Sequence, residues 1–292
     1  MRIFFSIILV CIVLNIGYAQ ESSLLTSLED SLPKAEKVNG IFRSTRVINS
    51  HSVEMLAKGS LDFRIMHRFG FVSDGVKQLF GLDAATMRMS FDYGISDNIM
   101  VGIGRSTFRK ELDAFVKTRV LHQTKGKNAM PFSLLFAVGY VIHTEESFSV
   151  MKPSFADRSA YYLQVIAGRK FNSRFSLQLN PVVLHTMMPQ DSTTSSTIFA
   201  IGCGARYSIS KRVAITLDYL PVLNGLSENN TDPLSVGFDI STGGHTFQLH
   251  FSNTIGMNER AFISQTTGDF FKGDIRFGFN LSRIFQLRKS KN

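Results

Sequence analysis

The side chains whose types suggest chemistry are seven histidines, two cysteines and a series of charged residues that recur at alternate positions. The histidines (51, 67, 122, 143, 185, 245 and 250) lack the helical spacing that two imidazoles need to grip one metal ion, and His245 and His250 fall on opposite faces of one predicted strand. No metal is expected. Gly102-Ile103-Gly104 has no strand–loop–helix context in which backbone amides could cradle a phosphate, so no cofactor is expected either. His67 and His185 lie near the ends of predicted strands, where a barrel hydrolase would hold its imidazole at a lipid interface. No serine stands at a diagnostic offset from either. The chain is therefore read as a non-enzyme, with an outer-membrane lipid hydrolase as the alternative. Its net charge of +9 comes without a basic helix or a stacking motif, which argues against nucleic acid.

The alternating charges are Asp62, Arg64, Arg68, Arg88, Asp92, Asp113, Lys117, Arg119, Arg206, Asp218, Asp239 and Arg276. Acids and bases nearly balance, so the set does not specify an anion or a cation pore. It suits a lining that selects small polar solutes, or one that pairs across strands and fills its own lumen.

These residues sit on segments with period-2 hydrophobicity separated by turn formers, which is the strand signal. Twelve are read: 60–69, 86–94, 98–104, 111–121, 131–141, 160–170, 174–184, 196–208, 212–220, 233–241, 245–252 and 273–283. The face opposite the charges is apolar throughout, as in Leu61, Phe63 and Ile65, or Phe132, Leu134, Phe136, Val138 and Tyr140. Away from the segment ends it carries no Asp, Glu, Lys or Arg in a chain that is 19% charged. Apolar content of 44% excludes a disordered chain. A helical membrane protein is excluded because the only long apolar run is at the N-terminus.

A soluble sandwich buries its apolar face as core, whereas a membrane barrel turns that face to lipid and its polar face to the lumen. Three features favour the barrel. Glycines (102, 139, 168, 202, 204, 237, 278) share the charged face, as a crowded, curved lumen requires. Aromatics recur near segment ends (Phe69, Tyr93, Tyr140, Tyr161, Phe175, Tyr207, Tyr219), like interfacial girdles built without Trp. Connections alternate between short (95–97, 122–128, 171–173, 209–211, 242–244) and long (70–85, 142–159, 185–195, 221–232, 253–272), with 105–110 the exception. Closure also leaves no unpaired strand edge in hydrocarbon. The fold class is all-β: a transmembrane antiparallel up-and-down β-barrel of about twelve strands with a short N-terminal leader.

Residues 1–19 read as a secretory signal, with Arg2 before an apolar run and Gly17-Tyr18-Ala19 as the cleavage pattern. Its removal leaves Cys203 as the sole cysteine and no intrachain disulfide. Residues 20–57 are a leader or a lumen plug, in which Arg43 and Arg46 would meet Asp62, Asp92 or Asp113. Residues 58–285 form the barrel and 286–292 a basic tail. Much of the remaining basic charge sits in predicted periplasmic turns and the tail (Lys125, Lys127, Arg174, Lys211, Arg288), a solvated rim or a surface for headgroups or a periplasmic partner.

Three stretches, FRSTRVINSHSVE (42–54), SLDFRIMHRFG (60–70) and LFGLDAATMRMSFDYGISDNIMVGIGRSTFRKELDAFVKTRVL (79–121), resemble a Bacteroidetes-type family of outer-membrane β-barrel proteins catalogued as a domain of unknown function. The resemblance implies a barrel in a Gram-negative outer membrane and brings no reaction, ligand or catalytic residue with it. The partners expected are outer-membrane lipid, the barrel-assembly machinery and a periplasmic protein. A narrow channel or transport component for small solutes is the leading reading. A structural or partner-docking protein and the lipid hydrolase are the alternatives.

Overall fold

Alternation in the sequence becomes twelve antiparallel strands in the computed structural model, which describes residues 35–145, 153–189 and 193–288. The signal sequence, the first part of the leader (20–34) and the end of the basic tail (289–292) lie outside the described residues. The strands are β1 (Ser60–Phe71), β2 (Ala85–Ser96), β3 (Ile99–Ser106), β4 (Glu111–Leu121), β5 (Ser133–His143), β6 (Ser159–Lys170), β7 (Phe175–Thr186), β8 (Thr197–Ser208), β9 (Val213–Tyr219), β10 (Leu234–Thr242), β11 (His245–Ser252) and β12 (Arg276–Gln286). Each pairs with the next in sequence, and β12 returns to β1 in a register running from Arg276↔Phe71 to Gln286↔Ser60. The sheet is thereby closed into an up-and-down barrel with no free edge, the arrangement that satisfies every wall amide without water.

Polarity is inverted relative to a soluble domain. In β1 the buried register is Ser60, Asp62, Arg64, Met66, Arg68 and Gly70, while Leu61, Phe63, Ile65, Phe69 and Phe71 face outward. Arg64, Arg68, Arg88 and Lys117 are 0% exposed, whereas Ile103 is 62% and Val138 is 53% exposed. Only a wall with lipid outside and polar groups inside makes that exchange favourable.

Short connections close one end of the barrel. The tightest is Gly243-Gly244, whose φ values of +43° and +114° suit a two-residue hairpin turn that L side chains resist. Long connections close the other end. The inner wall divides into two sectors. From β5 to β8 it is largely apolar (Leu135, Ala137, Val141, Ala160, Tyr162, Ile166, Val182, Leu184, Ile198, Ala200). From β9 round to β2 it is polar (Asp218, Asp239, Gln248, His250, Asn280, Asp62, Arg64, Arg68, Arg88, Asp92).

Two segments that are not part of the wall lie inside it. The chain enters past Glu36–Lys37, which pairs with Thr124–Lys125 at the short-turn end. Residues 41–56 then run into the lumen and fold back as a hairpin, with Val47 N donating to Ser50 O (2.8 Å) and Ser52 N to Thr45 O (3.0 Å). From the opposite end the β11–β12 connection folds inward and forms α1 (Glu259–Ser264), all six residues of which are buried. Asn258 caps it, its side chain accepting from Ala261 N at 2.9 Å. A helix this short does not persist alone. Phe262 and Ile263 join the same apolar cluster as Ile41, Phe42, Val47, Val53 and Leu56 of the hairpin.

Candidate functional site: the lumen and its two insertions

A hairpin outside the sheet carries main-chain donors and acceptors that need partners in a low-dielectric interior. The wall supplies them as side chains. Asp218 (β9) accepts from three successive amides at the tip, Ile48 (3.3 Å), Asn49 (2.8 Å) and Ser50 (2.9 Å), and from the Ser50 hydroxyl (2.8 Å). Lys117 (β4) donates to Thr45 O (3.2 Å), Ser52 O (3.2 Å) and Glu54 O (2.8 Å). Gln178 (β7) brackets the returning arm, accepting from Val53 N (3.1 Å) and donating to His51 O (2.8 Å). Gln248 (β11) and Asn280 (β12) donate to Val47 O (2.6 Å) and Ile48 O (2.9 Å).

The twelve charged residues expected in the lining divide by what they touch. Besides Lys117 and Asp218, the hairpin or its approach engages Arg64 (Thr45 Oγ1, 2.7 Å), Arg68 (Asn49 Oδ1, 2.7 Å), Arg119 (Val53 O, 3.0 Å) and Arg206 (Gly40 O, 3.2 Å). Asp62 pairs with Arg64 at 2.7 Å, and Arg88 makes a two-pronged pair with Asp113, with Nε at 2.9 Å. Asp239 accepts from Gln248 (3.0 Å). Asp92 is buried and forms no ion pair among the described residues. Arg276 is apart from the rest, its guanidinium 3.6 Å over the Phe71 ring at the long-loop end of β12.

The partners expected for Arg43 and Arg46 need correction. Arg43 donates to Lys211 O (2.6 Å) at the short-turn rim. Arg46 pairs with Glu259 of α1 (2.8 Å), and His51 Nε2 lies 3.3 Å from the same carboxylate. Asp62 and Asp113 are occupied by wall arginines and Asp92 makes no ion pair among the described residues, so the acid that the hairpin cation meets comes from the opposite insertion. The base of α1 is in turn tied to β4, with Glu111 bonded to Asn258 (2.7 Å) and Arg260. The two insertions therefore meet near mid-lumen through a buried ion pair.

Glu111, Arg260, Glu259, Gln178, Gln248 and Asn280 escaped sequence reasoning. Gln178, Gln248 and Asn280 lay on the inward register and were readable there as main-chain ligands. Glu259 and Arg260 lay in a long connection with no strand signal. His67 stacks on Phe279 (5.1 Å) on the outer face, and His185 stacks on Tyr161 (5.0 Å) and bonds Thr197 Oγ1 (2.8 Å). Neither has a serine hydrogen-bond partner among the described residues. At the short-turn rim, His122 Nε2 donates to Val38 O (3.1 Å). Burial first, and then Arg119, hold its pKa below the ordinary histidine value.

Residues 42–285 match the family model described as a membrane bound beta barrel domain (DUF5777). Among solved structures the chain is similar to the NanC porin (TM-score 0.47, 10% identity, covering 77% of this chain and 98% of that one). It is similar also to the KdgM porin (0.45, 10%, 77% and 99%) and to the Ralstonia pickettii toluene transporter TbuX (0.33, 9%, 78% and 89%). No curated protein matches the sequence.

Proposed function

Because the chain belongs to the family of membrane-bound β-barrel domains (DUF5777), we propose that it acts in the outer membrane as a narrow channel or transport component for small polar solutes. The 41–56 hairpin holds it shut, with α1 as its buttress rather than a second gate. One observation carries this reading. Besides the bonds they make to one another across the wall, Lys117, Asp218, Gln178, Gln248 and Asn280 all bond the main chain of a segment that belongs to no strand. A barrel filled only for stability would pair its charges within the wall, as Arg88 and Asp113 do. Withdrawal of the hairpin toward the rim where it enters would leave Arg64, Arg68, Lys117 and Asp218 facing water along a continuous polar stripe.

The test is single-channel recording in planar bilayers. The full chain should be closed for most of the record. Deletion of residues 35–56 should give long-lived open steps, and Arg64→Gln or Asp218→Asn in that background should change their ion selectivity. Correct folding is checked by heat-dependent mobility on SDS gels. A folded deletion variant that passes no current would sink the reading and leave a structural or partner-docking barrel in its place.

A further inference from the structure

Two apolar grooves cut the lipid-facing wall near the long-loop end. One, about 450 Å³, is lined by Met89, Phe91, Ile103, Leu112, Tyr140 and Ile142, with Arg105 at its edge. The other, about 720 Å³, is lined by Ile215, Val236, Phe238, Phe251, Phe270 and Ile275. Acyl chains cover any such wall, so the grooves differ in what stands at their rims rather than in their floors.

The rim of the first groove is cationic. Arg105 projects on the outward register of β3 and donates to Lys110 O (2.9 Å) and Thr144 Oγ1 (3.3 Å), while the Thr144 hydroxyl also donates to Lys110 O. These bonds clamp the 107–110 turn, which carries Arg109 and Lys110 in left-handed conformations (φ +50° and +48°). Such conformations cost energy in a residue with a Cβ and recur at ligand clamps. Arg109 Nε is buried and unbonded, with its guanidinium 5.8 Å from the Phe108 ring. The nearest acid in sequence, Glu111, turns inward to Asn258 and Arg260, and Glu145, beside Thr144, lies 3.4 Å from His143 Nε2. The second rim is the reverse. It is flanked by Asp74, Asp269 and Asp274, and its cations are already engaged: Lys272 is paired with Asp269 at 3.2 Å, and Arg276 lies over the Phe71 ring.

We infer that the first groove is a binding site for an anionic, phosphate-bearing lipid of the leaflet on the long-loop side. One acyl chain lies along Phe91, Ile103 and Leu112, and the phosphate sits between Arg105 and Lys110. The second groove takes an acyl chain with no preference for an anionic headgroup. The inference rests on the barrel's placement in a membrane and not on conduction, so silent bilayers would leave it standing.

Native mass spectrometry of the full chain in detergent tests it, with phosphatidylglycerol and phosphatidylcholine of identical chains added in competition. The anionic lipid should be retained preferentially. Arg105→Gln and Lys110→Gln should each cut that retention about fivefold and leave the zwitterionic lipid unchanged. Leu112→Trp, which fills the groove, should lower retention of both lipids. Lys272→Gln at the second rim should change neither. Equal retention of the two lipids by the full chain, or an anionic preference that survives both substitutions in folded protein, would overturn the assignment.

Discussion

The two sides of the lumen hold the same insertions by different physics. Along β5–β8, Ile41, Phe42, Val53, Leu56, Phe262 and Ile263 pack into an apolar cluster. Burial of that kind stabilises by roughly 25 cal/mol per Å² but has little directional preference. Along β9–β12 and β1, Asp218, Gln248, Asn280 and Arg68 bond named groups of residues 47–50, and each bond has one geometry. The apolar side supplies affinity and the polar side sets the register. β7 crosses the division, with Val182 and Leu184 in the cluster while Gln178 grips the main chain at 51–53. Past Glu36–Lys37 no pairing with a wall strand holds the hairpin, so under the proposed gating its withdrawal would leave the wall's own ladder intact.

The sharpest way to break the comparison is the contact that belongs to neither sector, the Arg46–Glu259 pair between the insertions. Arg46→Met leaves the buried Glu259 carboxylate without its ion-pair partner and should cost about 3–5 kcal/mol of insertion stability. Hydrogen exchange at the Val47 and Ser52 amides reads it. Arg46→Met combined with Glu259→Met should recover most of the loss. If the double variant is as unprotected as the single one, the insertions are not coupled through this pair.

Next in size is the apolar anchor. Phe262→Ala removes a side chain that is 1% exposed, and the packing it leaves empty should cost about 3 kcal/mol. The loss should spread over both insertions, since they share one cluster. Asp218→Asn should cost less, about 1–3 kcal/mol, because one oxygen still accepts while the amide nitrogen faces donors. Its effect should be local: Asn49 and Ser50 lose protection while Val53, held by Gln178, keeps it. Uniform loss in both variants would mean that the polar side does not set register by itself.

Much of this was legible from period alone, and the limits have physical causes. Every strand was readable because the lipid face excludes charge over its middle, as in Leu61 to Phe69, and admits it only near strand ends, as at Arg105, Arg169 and Arg283. The inward charges were readable on β1, where Asp62, Arg64 and Arg68 alternate with Leu61, Phe63 and Ile65, and on β2, where Arg88 and Asp92 alternate with Met87, Met89 and Phe91. The apolar sector was not. In β5, Leu134 faces outward and Leu135 inward, and an inner face without charge carries no sign of what it packs against. Arg46 was assigned to wall acids because only the wall was visible; its partner lies in ERAFIS, a six-residue helix too short for a 3.6-residue period to register. That helix exists because a barrel interior buries it on all sides, which is a tertiary cause with no local trace.

The smallest effect expected is at the rim, where the hairpin leaves the lumen. His122 joins Arg119 on the wall (Nδ1 to Nη1, 3.5 Å) to Val38 of the entering chain. The neutral ring does both jobs, accepting at Nδ1 and donating from Nε2; a proton at Nδ1 removes the acceptor and sets a second cation against Arg119. Its folded pKa is lowered, first by burial and then by that arginine. Its contribution is therefore present above the ordinary histidine value of about 6.5 and is lost as pH falls through the folded value. Exchange at the Val38 amide, which donates to Gln123 O at 2.8 Å, should accelerate over that window once the intrinsic rate is divided out. His122→Gln should flatten the response, and the Val47 amide deep in the lumen should not follow the same titration. A response at Val47 with the midpoint of His122 would show that the rim controls the whole hairpin, and that the two-sided grip inside is weaker than its geometry implies.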